Sequence, residues 1–307
     1  MLSIIIPTLN EEKCLPLLLE EIKRQRFDGG EEGKPPSSVS LSSSGSLAYE
    51  VIIADAGSTD KTVKIAKSFG CKVVKGGTVA KGRNEGAKAA QGDIFLFTDA
   101  DNIYLPDNFL RNLLEEFERR KLDIASFPIY PRESFFDKIA YGIYNNWVWL
   151  VQRFSAYATN SVLVRKYIHQ KIGGFDEEIK LAEDHFYAKR GKKLGKFGFI
   201  KTAPVITSAR RLKKDGSLKT YIKYLAAGIY MLFFGPIKKD IFDYRVGAAN
   251  EVEDEGQTPK EINFIDNRVG AANEVGDEGK TPKEANLIDN RVGAANEVGD
   301  EDELKKK

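Results

Sequence analysis

The chain has 307 residues, of which 42% are hydrophobic and 10% aromatic, enough to bury one large core or two modest ones and too much for a wholly disordered protein. Its two cysteines, Cys14 and Cys71, exclude a disulfide framework and lack the C-x-x-C spacing of a zinc or redox site, which fits a reducing, cytoplasmic setting. The net charge of +2 hides an asymmetry: residues 1–242 carry 38 Lys+Arg against 28 Asp+Glu, and residues 243–307 carry 9 against 17. A basic body suits phosphorylated small molecules, anionic lipid or nucleic acid, and the tail is acidic.

The first residues, "MLSIIIPTLNEE", have no basic leader and break at Pro7, so they read as a strand and not as a secretory signal. Strand candidates follow at 50–55, 72–76 and 93–99. Helical patterns "EKCLPLLLEEIKRQ", "DKTVKIAKSFG" and "GRNEGAKAAQG" lie between them, the last two closed by glycine. Alternation of this kind predicts an α/β fold, a mostly parallel sheet flanked by helices. Such sheets bind ligands beyond the carboxyl ends of their strands, where Asp55 and Asp99 fall. Residues 27–48 are rich in Ser, Gly and Pro and read as a flexible surface insertion.

After Asp101 come a helix, "LPDNFLRNLLEEFERRK", and a strand, "LDIASFPIY". The aromatic stretch "ESFFDKIAYGIYNNWVWLVQRF" is expected to be a core helix covering the sheet. The competing expectation is an acceptor wall or membrane-facing surface, because Trp and Tyr favour boundaries between apolar and wet regions. Residues 216–242 form an apolar segment whose richest part, "YLAAGIYMLFFGPI", has 14 residues. A spanning helix needs about 20. That predicts a buried or interfacial helix, with peripheral membrane contact as the further expectation. "RVGAANEV" then starts at Arg245, Arg268 and Arg291, a 23-residue repeat too poor in apolar residues to stack. The expectation for 243–307 is a disordered acidic tail behind a domain covering 1–242, with a short partner-binding array as the alternative.

Four stretches occur in order: "IIIPTLNEE", "IIADAGSTDKT", "GRNEGAKAAQGDIFLFTDAD" and "GGFDEEIKLAEDHFYAKR". Together they resemble family 2 glycosyltransferases, enzymes of the GT-A fold that use nucleotide-diphosphate sugars. The resemblance covers about residues 1–215. It implies that Pro7, Thr8, Asn10, Glu11 and Asp55 line the nucleotide pocket. Physically, Asp55 closes a strand and opens a Gly-Ser turn, so turn formation and capping by Ser58 or Asp60 compete with that role. Arg83 follows a glycine at the predicted start of a helix, where guanidinium and backbone N–H groups both suit phosphate.

In extended chain, Asp99 and Asp101 point the same way about 7 Å apart and suit one divalent ion, Mg²⁺ or Mn²⁺, shared with a pyrophosphate. The resemblance makes Asp101 the metal ligand and sets Asp99 nearer the ribose, with a share in the metal. It also implies that Asp184, in "AEDHFYAKR", is the base of an inverting displacement. His185 is a weaker candidate for a metal ligand than for a partly exposed helix residue. Gly173 and Gly174 resemble the turn leading to the acceptor region. Arg210 and Arg211 belong to a basic loop suited to pyrophosphate or anionic lipid. The Q-x-x-R-W pattern of processive members is missing, which implies transfer of a single sugar.

The donor is expected to be UDP- or GDP-linked, and the acceptor a hydroxyl or phosphate, with polyprenyl phosphate or a glycolipid favoured by the apolar segments. The chain is expected at the cytoplasmic side, peripheral on its membrane. A nucleotidyltransferase is disfavoured because "SIIIPTLNEE" lacks a G-x-G-T-R loop. Nucleic-acid binding has only charge in its favour. The remaining alternative is a non-catalytic sugar-nucleotide-binding or scaffold protein acting through its C-terminal repeats.

Overall fold

The structure, a computed structural model, describes residues 1–25, 49–132 and 135–239, except the side chains of Arg211 and Leu232. The expected insertion at 27–48 and repeat tail at 243–307 lie outside the described residues.

Strands β1 (Leu2–Thr8), β2 (Tyr49–Asp55), β3 (Lys72–Lys75) and β4 (Ile94–Phe97) are parallel, with β1 between β2 and β4. Helices α1 (Leu15–Lys23), α2 (Thr62–Ser68) and α3 (Val79–Ala89) separate them in sequence. Because β1 is covered on both faces, its apolar residues run continuously. Ile4 and Ile6 join the cluster of Leu15, Leu18 and Leu19 from α1 and Leu110, Leu113 and Phe117 from α4 (Phe109–Arg119). Ile5 joins the opposite cluster with Ala80 and Ala87 of α3, Ile168 and Ile172 of α6 (Lys166–Ile172), and Tyr187 and Ala188 of α7 (Glu183–Lys192).

The sheet has seven strands in the order β3-β2-β1-β4-β8-β6-β9, where β6 is Ile124–Ser126, β8 Val162–Arg165 and β9 Phe197–Phe199. Strand β8 runs antiparallel to both β4 and β6, and the other neighbours are parallel. A second sheet places β10 (Val205–Thr207) between β5 (Asn102–Tyr104) and β7 (Ile129–Pro131). The mostly parallel α/β fold expected from the sequence is therefore the one found.

Three details differ from the expectations. "LDIASFPIY" is two strands in different sheets, broken at Pro128, which has no N–H to continue a ladder. Strand β4 ends at Phe97, so Asp99 and Asp101 occupy a turn and not extended chain. The Asn102 N–H closes that turn on the Asp99 carbonyl at 3.3 Å. The aromatic helix, α5 (Phe135–Val151), is not a core helix: Asp137, Asn145 and Val148 are its buried residues, and Phe135, Phe136, Ile143, Trp147 and Leu150 are exposed. Helices α8 (Arg210–Asp215) and α9 (Ser217–Phe234) complete the described residues.

Candidate active site

The turn after β1 is welded to the turn after β2. Asn10, at φ 54°, occupies the left-handed region that Asn tolerates better than most residues. Its N–H donates to Ser58 Oγ at 2.9 Å, and its side-chain oxygen accepts from the Thr59 N–H at 2.9 Å. Glu11 N–H donates to Thr62 Oγ1, and Glu12 N–H to Asp60. The Asp55 carboxylate accepts from Thr8 Oγ1, Ser58 Oγ and the Gly57 and Ser58 N–H groups. In the structure, then, Asp55 organises this turn. Neither Ser58 nor Asp60 is the N-cap of α2, which is Lys61; Asp60 instead closes a turn just before the helix, accepting from the Thr62 N–H and hydroxyl. Against the opposing pull of burial, hydrogen bonds from Thr62 and Glu12 hold Asp60 below the usual carboxylate range.

Helix α3 brings Arg83 to the centre. Thr78 caps this helix through the Lys81 N–H, so it starts at Val79, earlier than expected, and Arg83 stands in its second turn and not at its N-terminus. The helix lies close on β1: a Cβ on Gly86 would sit 2.3 Å from Ile5 Cγ2. The buried Arg83 guanidinium donates to Asp99 Oδ1 at 2.8 Å and to Glu183 Oε1 at 2.7 Å. Its Nε has no hydrogen-bond partner, and the guanidinium lies 5.2 Å from the centre of the Phe175 ring. Phe175 stacks on Tyr187 at 3.9 Å and is held by Asn84, which bonds both its N–H and its carbonyl. Gly174, at φ 82°, permits this approach, since a Cβ there would meet Asn84 Oδ1 at 2.7 Å. Gly173 and Gly174 thus seat Phe175 beneath Arg83.

A buried polar network holds the turn that carries Asp99 and Asp101. Asn102 Nδ2 donates to Thr98 Oγ1 at 2.8 Å and Ser161 Oγ at 3.1 Å, and Asn160 Nδ2 donates to Asn102 Oδ1 at 2.8 Å. The Asp101 carbonyl accepts from the Ser208 N–H at 2.8 Å, joining this turn to the approach to α8. There Arg210 is buried and donates to Glu11 Oε2 at 2.8 Å. Burial pushes Glu11 up to about 7, the Arg210 charge works against it, and Asp101 and Asp99 push the same way as burial. The Arg211 side chain lies outside the described residues.

Glu183 and Asp184 open α7, where acidic groups complement the positive helix end. Ala182 precedes them at φ 59°, a left-handed conformation uncommon outside glycine and asparagine. Burial pushes Asp184 up to about 7; Arg83 and the His185 N–H oppose this, and Asp99 adds to it. His185 lies edge-on to Tyr157 at 5.6 Å, and burial lowers it to about 4. Tyr157 is 4.7 Å from Trp147, and Trp147 is 6.2 Å from Tyr144 of α5, so an aromatic row runs from His185 to α5. Among the described residues, no three or more His, Cys, Asp or Glu side chains are grouped to hold a metal.

One centre therefore gathers Glu11, Arg83, Asp99, Asp101, Glu183, Asp184 and Arg210, with Pro7, Thr8 and Asp55 at the adjoining strand ends and Asn10 on the turn beyond β1. Sequence reasoning passed over Asn84, Asn102, Asn160 and Ser161, which hold the acidic segments in place. Their partners are as much as 93 positions away, and no local pattern marks them.

Residues 3–176 match the family described as Glycosyl transferase family 2. The chain belongs to this family. Among curated relatives of this family 2 chain, dolichyl-phosphate beta-glucosyltransferase of Homo sapiens is 29% identical over 143 residues, 41% of this chain and 37% of that protein. The dolichyl N-acetyl-alpha-D-glucosaminyl phosphate 3-beta-D-2,3-diacetamido-2,3-dideoxy-beta-D-glucuronosyltransferase of Methanococcus voltae is 34% identical over 129 residues, 39% of this chain and 35% of that protein. The family 2 domain here thus spans little more than a third of the length of either. Its fold is shared with the mannosyltransferase PcManGT from Pyrobaculum calidifontis, solved in complex with GDP-Man and Mn²⁺. The TM-score is 0.55 at 16% identity over 76% of this chain and 70% of that one.

Proposed function

We propose that the chain is a divalent-metal-assisted, inverting glycosyltransferase that moves one sugar from a UDP- or GDP-linked donor to an acceptor hydroxyl or phosphate. Arg83 carries this reading: it joins the D-x-D turn to the acid pair of α7, so a leaving-group site and a base site adjoin. Family membership and the nucleotide-sugar complex of PcManGT support it.

In this reading the turn residues Pro7, Thr8, Asn10, Glu11 and Asp55 border the nucleoside, and Arg210 turns from Glu11 to the pyrophosphate. Asp101 and Asp99 would hold Mn²⁺ or Mg²⁺. Their hard oxygens suit either ion; burial is the main cause that raises Glu11, and the negative charges of Asp101 and Asp99 that add to it are what a cation offsets. When bound, the ion supplies positive charge against the departing diphosphate. Arg83 holds Oδ1 of Asp99 and Oε1 of Glu183, which leaves Asp184 as the carboxylate available to the acceptor.

Asp184 takes the proton of an acceptor hydroxyl as its oxygen attacks the anomeric carbon from the face opposite the nucleotide. The carbon–oxygen bond to the diphosphate breaks, and configuration inverts. A pKa near 7 suits a base working at neutral pH. The exposed apolar helices and the dolichyl-phosphate names among the relatives favour polyprenyl phosphate or a glycolipid as acceptor, met at the cytoplasmic membrane face. Among the described residues, no helix is long and apolar enough to cross a membrane.

The test is to incubate the protein with UDP- and GDP-sugars, Mn²⁺ and a short polyprenyl phosphate or glycolipid, and to determine the product's anomeric configuration by NMR. Inversion relative to the donor is expected. Retention, or donor cleavage without a glycosylated product, would contradict the mechanism.

A further inference from the structure

Helices α5 and α9 are inside out. In α5 the single acid, Asp137, is 4% exposed while its neighbour Phe136 is 81% exposed. Tyr141 and the buried Asn145 continue the inner side, and Ile139, Ile143, Trp147 and Leu150 continue the outer one. In α9 the exposed Leu218, Ile222, Leu225, Ile229 and Phe233 recur at steps of three and four, a single stripe, whereas Thr220 and Ala227 are buried. Isolated exposed apolar residues are ordinary on any protein, but two whole stripes are not.

Polar contacts fasten the two helices to each other on their inner sides. Asp137 accepts from Ser217 Oγ at 3.0 Å and from the Tyr221 hydroxyl at 2.5 Å, and the Tyr141 and Tyr221 rings meet at 6.4 Å. Both apolar stripes are thereby held outward. Charge is distributed accordingly. Helix α9 has Lys219 and Lys223 in its first half and no Asp or Glu anywhere, and α8 leads into it with Lys213 and Lys214.

Helix α9 is also built into the catalytic region. Ala227 is buried with Leu181 and Ile237, with Tyr230 and Met231 packed against them. The Lys180 N–H donates to the Ile237 carbonyl at 2.8 Å, and Leu181 and Ile237 form an antiparallel bridge. This contact lies immediately before Glu183 and Asp184.

We propose that the outward stripes of α5 and α9 are a docking face for the surface of an anionic lipid bilayer, which sets the Asp184 side of the site at the headgroup level. The inference rests on the transferase reading for its consequence, since it places the acceptor subsite at the membrane. The lipid occupant is chosen on charge and shape. A lysine-bearing, acid-free helix with a continuous apolar stripe, too short and too polar to span, lies in the interface with its lysine ammonium groups among phosphates.

The test uses the full chain and sedimentation with unilamellar vesicles, either pure phosphatidylcholine or equal parts phosphatidylcholine and phosphatidylglycerol. The wild type is expected to pellet with the anionic vesicles and several-fold less with the neutral ones. Leu225→Asp combined with Ile229→Asp should lower the bound fraction at least ten-fold, and Leu194→Asp, an exposed position outside both helices, should not. The proposal is overturned if the wild type stays in the supernatant with both vesicles, or if the double variant pellets as well as the wild type. A wild-type dimer in sedimentation velocity without lipid, abolished by the same double variant, would give the face to a second copy and also overturn it. Mn²⁺-dependent binding of UDP or GDP to the same preparations reports on the transferase reading alone, so the two can fail separately.

Discussion

Arg83 and Glu183, 100 positions apart, are joined by a 2.7 Å hydrogen bond, and the other terminal nitrogen of the same guanidinium holds Asp99 at 2.8 Å. A buried cation flanked by two carboxylates fixes the distance between the strand end and the helix start that the proposed chemistry needs. Arg83→Ala should leave both acids uncompensated and cost about 3 to 5 kcal/mol of stability. Arg83→Lys retains the charge and loses the fork, so it should fall between the two. Urea unfolding of the three proteins measures this. Equal stability of wild type and Arg83→Ala would show that the bridge is not structural.

Asp184→Asn keeps the size of the side chain and removes the base. Transfer to a hydroxyl acceptor should fall by about 10² to 10⁴ with donor binding unchanged. A phosphate acceptor, already ionised, has no proton to lose and should show a much smaller drop. Single-turnover rates with both acceptor types decide this. A loss of nucleotide affinity equal to the loss of rate would make Asp184 a binding residue instead.

The pH dependence follows from the same group. Burial holds Asp184 at about 7, and only its carboxylate form accepts a proton. The rate for a hydroxyl acceptor should therefore rise with pH through neutrality and level off above about 8. A flat profile from about pH 6 to 8 would contradict the assignment.

Stability should show a separate acid limb. Burial lowers both His169 and His185 to about 4, and an unfolded histidine titrates near 6.5. Folded pKa values below the unfolded value mean that this stability is complete above about pH 6.5 and is lost as pH falls toward 4. The loss is at most on the order of 3 kcal/mol per histidine. His169, bonded to the Tyr187 hydroxyl and edge-on to Phe95, is the clearer case. Thermal unfolding from pH 7 to 4 should show a shallower fall for His169→Gln than for the wild type.

Asn102→Ala tests the frame beneath the D-x-D turn. It removes the donor to Thr98 and Ser161 and the acceptor for Asn160, at a fully buried position. A loss of about 1 to 3 kcal/mol is expected, with weaker nucleotide binding although Asn102 itself carries no charge. Unchanged affinity would show that the turn keeps its shape unaided.

The sequence disclosed what depends on neighbours in the chain. The end of β2 at Asp55, the acid pair Glu183–Asp184 and the α/β alternation were legible, because periodicity and turn chemistry are local, whereas β4 stops at Phe97, short of the expected end at Asp99. The run "LDIASFPIY" showed the limit, since its division between two sheets depends on partners far away. So did α5, where an aromatic helix looks the same in sequence whether its rings face in or out. Asp137 was the one clue, an acid that the structure turns inward onto Ser217 and Tyr221. Arg83 was read as a candidate phosphate contact and not as a bridge, because its two carboxylates come from separate segments. Asp55 was read from its strand end toward the nucleotide, and the four donors that occupy it belong to turns it helps to close.

The most direct measurement is calorimetric titration of the full chain with UDP and with GDP, each with and without Mn²⁺, alongside Asp101→Ala. The expected result is binding of one nucleotide that requires Mn²⁺ and weakens at least ten-fold in the variant. Binding that ignores both the metal and Asp101, or no binding of either nucleotide under any condition, would contradict it.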